Sequence, residues 1–498
     1  MRFANSLGQA LSYRPNMLHK PKYWNPFRCY RHVLAVATLL CLGLMIGCDR
    51  PPHGGKQSSG QTNPAKSSAS KKRAKPKLLH RSARDTDLKV LKEILAEGVS
   101  PNAKEAVDGF DNTALHMACA QFNDEVGINA IFGAFKDLPV EQKVEVVELL
   151  LSHGANVHAL NVSNQTPFHV AVGVGAAPGN VIQMLIDHGV DVNQQDGLGI
   201  SPLHSASYGG RIDIVKQLLS HGADLHVVAG SSGWTPLGSI IGNGDFRSGQ
   251  LAVATFLLDQ GASAKETDRN GLSMLHWVAD AGNLDFLNLL LTRGAQVNVT
   301  GAWEYADPHI HSNHGSTVIS GDGYTPLHIS AWRNDVEAAQ LLIDHGALVD
   351  VKAGDGATAL HLTASLYKIK TTVRRYRMAL LRKRRSEGRG GDSSGLEEAL
   401  AAKEQEQQQL GAAMVDLLVA HGADVNAKDN AGYPVLHWAL GYRRLPGGPL
   451  VAGELMADAS VARALVSHGA DRAETDAGGK SAAQLAGEGG GSLGKLFK

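Results

Sequence analysis

Apolar and polar positions follow a fixed order between residues 201 and 234. A short apolar stretch opens at Pro202, and a pair of glycines interrupts it. A second apolar stretch follows, in which Ile214 and Leu218 have the spacing of one helical face. Gly222 ends this stretch, because a residue without Cβ readily takes the left-handed conformation of a helix cap. The pattern predicts a helix, a turn, a second helix and an extended loop.

The same order recurs along most of the chain, marked by a histidine in each first helix and a glycine after each second helix. The histidines are His80, His116, His169, His204, His276, His328, His361 and His437, with Gly238 taking the place of one of them. The glycines are Gly98, Gly154, Gly189, Gly222, Gly261, Gly294, Gly346, Gly422 and Gly469. A glycine is repeatedly followed by the next histidine 15 residues later, as from 154 to 169 and from 422 to 437. We therefore predict about nine repeats and a partial terminal one over residues 78–490.

Each repeat opens with Thr-Pro-Leu-His or a variant of it, as at Thr325 to His328. This motif resembles that of the ankyrin repeat. The resemblance implies an all-α solenoid of stacked helix-turn-helix units with β-hairpin-like loops, each unit stable only against its neighbours. It also implies that the histidine braces its turn by local hydrogen bonds. The loops and first helices would line a concave surface that binds other proteins.

Several repeats contain insertions. Extra residues separate the two helices of a repeat after His116, His361 and His437. Residues 299–322 instead lengthen the loop between two repeats, which the resemblance places at the binding surface. This second kind of insertion, here called the inserted finger, is therefore the better candidate for a functional role.

Residues 368–412, inserted after His361, divide by charge. Residues 368–385 are strongly basic, a glycine-rich break follows, and residues 396–410 are acidic and rich in glutamine. We predict a charged helical hairpin. Its basic arm either contacts an anionic surface or acidic partner, or pairs with the glutamates of the other arm.

The N-terminus contains a separate apolar run. Residues Val33–Gly47 are continuously apolar and follow the basic Arg28 and Arg31. The run is shorter than the roughly 20 residues of a membrane-spanning helix and is typical of a signal peptide. Residues 45–48, Met-Ile-Gly-Cys, resemble the lipobox of bacterial lipoproteins, in which the cysteine is diacylated. The sequence thus predicts a leader over residues 1–48, with lipidation at Cys48.

A lipid anchor at Cys48 would place the protein at a cell membrane, on its periplasmic or other extracytoplasmic side. Residues 49–77 are rich in Pro, Gly, Ser and Lys, and we expect a disordered tether there. Two alternatives stay open: ordinary secretion, and an uncleaved anchor that leaves the protein on the cytosolic side.

Composition and the lack of catalytic motifs argue against nucleic-acid binding, a disulfide framework and enzymatic activity. The 48 basic and 48 acidic residues balance, so no overall charge favours nucleic acid. The four cysteines do not form a disulfide framework, and Cys119 is expected to be a small buried residue. No nucleophile elbow, phosphate loop or zinc-protease helix is present. We therefore predict neither enzymatic activity nor a cofactor.

Most of the 22 histidines occupy the repeat positions or directly precede a cap glycine. His309, His311 and His314 are different, because they cluster in the inserted finger. Their spacing suits zinc or another borderline metal, although loop histidines are more often solvated. A metal-linked regulator of an enzyme is therefore an alternative function.

Aromatic residues carry the main prediction of a binding surface. Seven of them fall on the first helices, directly before the Thr-Pro motif or in the inserted finger: Tyr208, Trp234, Trp303, Tyr305, Tyr324, Trp332 and Tyr433. Exposed aromatic side chains on one surface are typical of protein-binding hot spots. The sequence therefore predicts a scaffold that binds an unidentified protein. Packing between neighbouring loops is the competing interpretation of these residues.

Overall fold

Short helices, arranged in pairs, make up most of the molecule. The computed structural model describes residues 76–104, 111–120, 139–173, 177–230, 232–241, 249–306, 317–365, 394–440, 443–444, 450–451 and 459–488. Each helix pair is here called a repeat, numbered 1 to 9 in chain order. The loop that leads from one repeat to the next is called the finger of the same number.

Repeat 1 contains helical residues 76–84 and the helix Leu88–Ala96. The other pairs are Ala114–Cys119 with Val140–Ser152 (repeat 2), Pro167–Val172 with Gly179–Asp187 (repeat 3), Pro202–Tyr208 with Ile212–Ser220 (repeat 4), Pro236–Ile241 with Gln250–Asp259 (repeat 5), Met274–Ala281 with Leu284–Thr292 (repeat 6), Pro326–Arg333 with Val336–Asp344 (repeat 7), Ala359–Thr363 with Ser394–Ala420 (repeat 8) and Val435–Ala439 with Ala459–Ser467 (repeat 9). A single helix, Ala482–Glu488, follows repeat 9.

The first helix of each repeat is short and begins at a hydrogen-bonded cap. In repeat 7, Thr325 precedes Pro326. Proline lacks a backbone N–H, but an N–H in the first helical turn has no partner within the helix, so no bond is lost. The backbone N–H of Thr325 donates to His328 Nδ1 at 3.1 Å, and His328 N donates to the Thr325 hydroxyl oxygen. The predicted bracing role of the histidine is therefore confirmed in this turn. The same pairing of cap and histidine occurs at Thr113, Thr166, Ser201, Ser273 and Thr358.

The second helices end as the glycine series predicts. All nine cap glycines have φ between 78° and 102°. A Cβ at any of them would meet open space, so the left-handed backbone alone selects glycine there. The histidine before the cap contacts the helix end in five repeats, with Nδ1 within 2.9 Å of a carbonyl oxygen: His153, His188, His221, His345 and His421.

One hydrophobic core runs from Leu79 in repeat 1 to Ala486 in the terminal helix. Both helices of a repeat contribute to it; in repeat 4 these are Leu203 from the first helix and Val215 and Leu218 from the second. Full burial of one such aliphatic side chain contributes about 1.5–3 kcal/mol. The predicted helical solenoid is confirmed, because neighbouring repeats share a single core.

The inserted finger is a β-hairpin that extends finger 6. Strand β1, Gly301–Ala306, pairs antiparallel with strand β2, Thr317–Tyr324, and Gly301 lies opposite Tyr324. The Trp303 ring lies 5.2 Å from the Trp332 ring and 5.8 Å from the Tyr324 ring, both edge to face. Each such pair is worth about 0.5–1.5 kcal/mol beyond area burial. This aromatic cluster attaches the base of the hairpin to the first helix of repeat 7.

The insertion in repeat 8 continues directly into a repeat helix. Ser394–Ala420 is one continuous helix, so residue 412, predicted as the end of the hairpin, is not a break in the structure. The basic arm, residues 368–385, lies outside the described residues. In repeat 9, the connection between the helices contains a short antiparallel pair, β3 (Arg443–Arg444) and β4 (Leu450–Val451).

The N-terminal predictions fall almost entirely outside the described residues, since residues 1–75 contain the leader, Cys48 and nearly all of the tether. Residues 76 and 77, assigned above to the tether, are helical instead. The reason is a local bond at the start of repeat 1, where His80 Nδ1 lies 2.8 Å from the Pro76 carbonyl oxygen. Across the described ranges, no helix combines the length and apolar character needed to cross a bilayer.

Candidate partner-binding surface

Most of the aromatic residues predicted to face a partner are buried. Trp234, Trp303, Tyr324, Trp332 and Tyr433 are all at most 7% exposed. The prediction that these five form an exposed surface is therefore wrong. Tyr208 is half-buried at the end of the first helix of repeat 4. Tyr305 lies in strand β1, and its side chain is outside the described part of the structure.

The residue before the Thr-Pro motif is buried because its carbonyl joins two repeats. His204 Nε2 in repeat 4 lies 3.1 Å from the Trp234 carbonyl oxygen. His276 Nε2 lies 2.8 Å from the Tyr324 carbonyl oxygen in the same way. A carbonyl held against the preceding repeat brings its own side chain into the seam between repeats. Packing between neighbouring loops, the competing interpretation, accounts for these aromatics.

The signature histidines therefore form a ladder of bonds between repeats. Nδ1 accepts the backbone N–H of the cap residue, for example from Ser273 to His276 at 3.0 Å. Nε2 must then carry the ring hydrogen and donate it to the next repeat. His361 Nε2, for instance, lies 3.3 Å from the Tyr433 carbonyl oxygen, and His328 Nε2 lies 3.2 Å from that of Ala357. The ring is thus held as one neutral tautomer.

Burial of these rings disfavours their charged form. Desolvation lowers the pKa of His204, His276, His328 and His361 from 6.5 to about 4, although the carbonyl each ring contacts acts to raise it. A ring protonated on Nδ1 would also lose its bond from the cap N–H. The ladder therefore depends on neutral histidine.

Exposed aliphatic side chains instead mark three consecutive fingers. Leu160 and Val162 in finger 2 are 38% and 57% exposed, Leu198 in finger 3 is 42% exposed, and Val228 in finger 4 is 51% exposed. We call these four residues the apolar finger strip. Single exposed aliphatics are ordinary on protein surfaces, whereas a run on adjoining loops points to an interaction surface.

A comparison of equivalent finger positions strengthens this assignment. Six residues after the cap glycine, fingers 1, 3, 7 and 8 carry a lysine or glutamine whose side chain donates to the next finger. Lys352 Nζ donates to the Lys428 carbonyl oxygen at 3.0 Å, and Gln195 Nε2 donates to the Val228 carbonyl oxygen at 2.9 Å. Leu160 and Val228 occupy that same position. At these two positions an exposed apolar side chain stands in place of such a donor.

The three fingers are held in place before any partner arrives. Gly197 N donates to the Ser163 carbonyl oxygen at 2.9 Å, between residues adjacent to Leu198 and Val162. On its other side, finger 3 approaches finger 4 so closely that a Cβ at Gly199 would collide with Gly230 N. The strip is therefore a preformed surface across joined loops. In the sequence, the count from the cap glycine identifies Leu160 and Val228 but not Val162 or Leu198.

Repeat 5 has no signature histidine, so a different contact stands in place of the bond from Nε2 to the next repeat, here called a rung of the ladder. A Cβ at Gly238 would collide with Cε3 of Trp234, so the indole occupies the space that a side chain at this position needs. Thr235, left without its histidine, donates its hydroxyl to Glu266 Oε2 in finger 5 at 2.6 Å. Desolvation raises the pKa of Glu266, and the hydrogen bond from Thr235 opposes that rise. Repeats 5 and 6 are thus joined through a half-buried carboxylate.

The remaining candidate chemistry has little support among the described residues. His309, His311 and His314 lie outside them, as does Cys48. In the part of the chain that the structure describes, no three His, Cys, Asp or Glu side chains are grouped to hold a metal ion. Cys119 is buried, and desolvation raises the pKa of its thiol to about 12, so it is no nucleophile at neutral pH.

Family models for ankyrin repeats match several parts of the chain. The model described as ankyrin repeats (3 copies) matches residues 138–229, and the one described as ankyrin repeats (many copies) matches residues 309–362. The single ankyrin repeat matches residues 110–162 and 270–302. The crystal structure of the human ASB11 ankyrin repeat domain is 21% identical, with a TM-score of 0.36 over 50% of this chain and 91% of that one.

The similar curated proteins are longer and diverse. Phosphocholine transferase AnkX of Legionella pneumophila is 28% identical over 238 residues, 46% of this chain and 23% of that protein. Human Rabankyrin-5 is 28% identical over 187 residues, 37% of this chain and 14% of that protein. A Drosophila melanogaster channel, transient receptor potential cation channel subfamily A member 1, is 25% identical over 41% of this chain and 22% of its own length. The chain thus spans less than a third of the curated relatives it matches.

Proposed function

We propose that this chain, whose repeats are ankyrin repeats, is a scaffold that binds another protein through the apolar finger strip. The observation that carries the proposal is the exposure of Leu160, Val162, Leu198 and Val228 on three adjoining fingers. Tyr208 lies on the first helix of the repeat between fingers 3 and 4 and is a further candidate contact. Partner binding is non-covalent capture, and we propose no catalytic step.

The rigidity of the fingers supports this function. Bonds between fingers hold the strip in place, so little conformational entropy is lost when a partner binds. Full burial of an exposed Val or Leu is worth about 1.5–3 kcal/mol, and these side chains are already partly covered. Covering the strip supplies a few kcal/mol, enough to dominate a modest interface.

Affinity capture with the full-length protein tests this proposal. The test variant carries Val162→Ser and Leu198→Ser, and the matched control carries Leu348→Ser, which removes a side chain that is 63% exposed on finger 7. We expect the test variant to lose the captured partner by at least about tenfold, the equivalent of 1.4 kcal/mol, while the control retains it. Equal recovery by both would place the binding surface elsewhere.

We also propose that the scaffold is exported and tethered to a membrane through Cys48. The apolar run Val33–Gly47, the Met-Ile-Gly-Cys sequence at its end and the polar residues 49–75 support this topology. Mass spectrometry of the mature N-terminus is the test: a diacylated Cys48 is expected, and Cys48→Ala should release the protein from membranes. An intact leader would instead support the uncleaved anchor. The basic residues 368–385 are a further candidate contact with an anionic surface.

A metal-linked role is the second candidate function. It is motivated by the spacing of His309, His311 and His314 in the inserted finger. Elemental analysis of the purified protein, compared with a variant in which all three are alanine, tests it. Negligible metal in both would eliminate this function and leave the scaffold proposal intact.

A further inference from the structure

We propose that the partner presents a peptide segment with an aliphatic centre and acidic residues on both sides of it. This inference rests on the proposed function, because it concerns the same apolar finger strip. It follows from the charges that surround the strip at its two ends.

A cation adjoins each end of the strip. At the N-terminal end, exposed Lys104 of finger 1 has its Nζ 3.1 Å from the Leu160 carbonyl oxygen. At the C-terminal end, exposed Arg269 of finger 5 has its backbone N 3.4 Å from the Ser232 carbonyl oxygen of finger 4. Among the described residues, neither cation pairs with a carboxylate. Both charges are therefore available to a partner.

Finger 2 contains no acidic residue, and the acidic residues of fingers 3 and 4 already accept backbone N–H groups. Asp196 is buried and accepts the N–H groups of Leu198 and Ile200. Asp191 and Asp224 are exposed at the start of fingers 3 and 4, and each accepts an N–H from its own turn. The strip therefore presents aliphatic side chains between two cations that have no carboxylate partner within the described ranges.

A protein segment suits this surface better than a lipid bilayer. Exposed uncharged residues lie beside the aliphatics, among them Ser163, Asn164 and Gln195, and their side chains can bond to peptide groups. The exposed strip contains no Trp or Tyr, the residues that typically anchor proteins at the membrane interface. Carboxylates on the partner would be attracted at both ends, and this attraction gives specificity and faster association.

An array of synthetic peptides with varied Leu, Ile, Val and Phe centres and with Glu, Lys or Ser ends tests the proposal. The purified full-length protein is applied in mild detergent at low ionic strength. We expect Glu-ended peptides to bind at least about tenfold better than Lys-ended ones, with the preference falling as salt increases. The double variant Lys104→Glu and Arg269→Glu should reverse the preference. Lys89→Glu, a reversal on the second helix of repeat 1, is the control and should leave it unchanged.

The outcomes separate this inference from the proposed function. If Val162→Ser and Leu198→Ser abolish binding but peptide ends and charge reversals have no effect, the strip is the site and the acidic partner is wrong. If no peptide binds in a way that depends on the strip, both the proposed function of the strip and the acidic partner are wrong. Neutral variants Lys104→Gln and Arg269→Gln check that any loss reflects charge and not altered stacking. Strip-dependent binding to phosphatidylglycerol vesicles in place of any peptide would overturn the inference in favour of a lipid surface.

Discussion

At the scale of single residues, Gly238 shows how one replacement is matched by its surroundings. Eight signature histidines in repeats 1 to 9 contact, through Nε2, a carbonyl oxygen of the segment that leads into the following helix pair or the terminal helix, whereas repeat 5 has glycine and a buried indole. The last of them is His437, whose Nε2 lies 3.0 Å from the Lys480 carbonyl oxygen. The glycine is needed because the indole of Trp234 fills the space that its Cβ would enter.

Gly238→Ala should therefore destabilise the protein by about 1–3 kcal/mol through overpacking. Chemical denaturation followed by circular dichroism measures this. The cost should shrink when Trp234→Val is also present, because the smaller side chain leaves room for the added Cβ. Gly346→Ala is the control, since its Cβ meets open space and only its left-handed φ of 89° opposes the change. Additive effects of the alanine at 238 and the valine at 234 would contradict the proposed packing.

The buried aromatics show what the sequence allows a reader to predict at this scale. The cap glycines and bracing histidines are local features with a fixed spacing, so their roles follow from the sequence. Whether Trp234 or Tyr324 faces solvent depends on a carbonyl bond to a histidine 30 or 48 residues away. That information is not local. The wrong prediction for these aromatics has this physical cause.

At the scale of elements, the contact between Thr235 and Glu266 stands where other repeats have a histidine rung. Thr235→Val keeps the shape of the side chain but removes the hydroxyl that donates to the carboxylate. We expect a loss of about 1–3 kcal/mol in the free energy of unfolding. Glu266→Gln keeps an acceptor for the Thr235 hydroxyl and removes the charge, so it should cost much less. Equal losses in the two variants, measured by urea denaturation, would exclude this role for the hydroxyl.

The inserted hairpin should depend on its aromatic cluster. Trp303→Ala removes both edge-to-face contacts at the base of strands β1 and β2. We expect faster proteolytic cleavage within residues 299–322 and loss of near-ultraviolet dichroism, because two strands alone are only marginally stable. Val162→Ser in finger 2 is the control and should leave this cleavage rate unchanged. Unaltered cleavage of the tryptophan variant would mean that strand pairing suffices.

At the scale of the whole molecule, the histidine ladder makes stability depend on pH. His204, His276, His328 and His361 have a pKa of about 4 when folded and 6.5 as the ordinary value. Between these values the unfolded chain binds more protons than the folded one. Stability is therefore greatest above about pH 6.5 and falls as the pH is lowered toward 4, by up to about 1.4 kcal/mol per pH unit for each ring.

Urea unfolding measured at several values between about pH 7 and pH 4 tests this dependence. A His328→Gln variant should show a shallower slope, since one such ring is removed. His153→Gln and His221→Gln are the controls, because those rings are exposed at helix ends. A slope that is the same in all of these variants would contradict a contribution from the ladder.

The helical solenoid could be predicted from the sequence because its unit is repeated and each repeat needs only its neighbours. The aromatic pattern does not predict the apolar finger strip, because the strip consists of aliphatic residues. Two of them, Leu160 and Val228, stand at a position where fingers 1, 3, 7 and 8 carry Lys or Gln. The second arm of the insertion in repeat 8 was expected as a separate helix. Nothing in residues 394–420 interrupts a helix there, and the structure has one continuous helix.

The contact between Thr235 and Glu266 also separates two parts of the molecule that can vary independently. The apolar finger strip lies entirely on one side of it, and the inserted hairpin and the long helix of repeat 8 lie on the other. In a row coupled through adjacent units, changes on the far side reach the strip only through the junction of repeats 5 and 6, where this contact adds to the shared core. Insertions there can lengthen, shrink or be exchanged during evolution or engineering while the recognition loops keep their geometry.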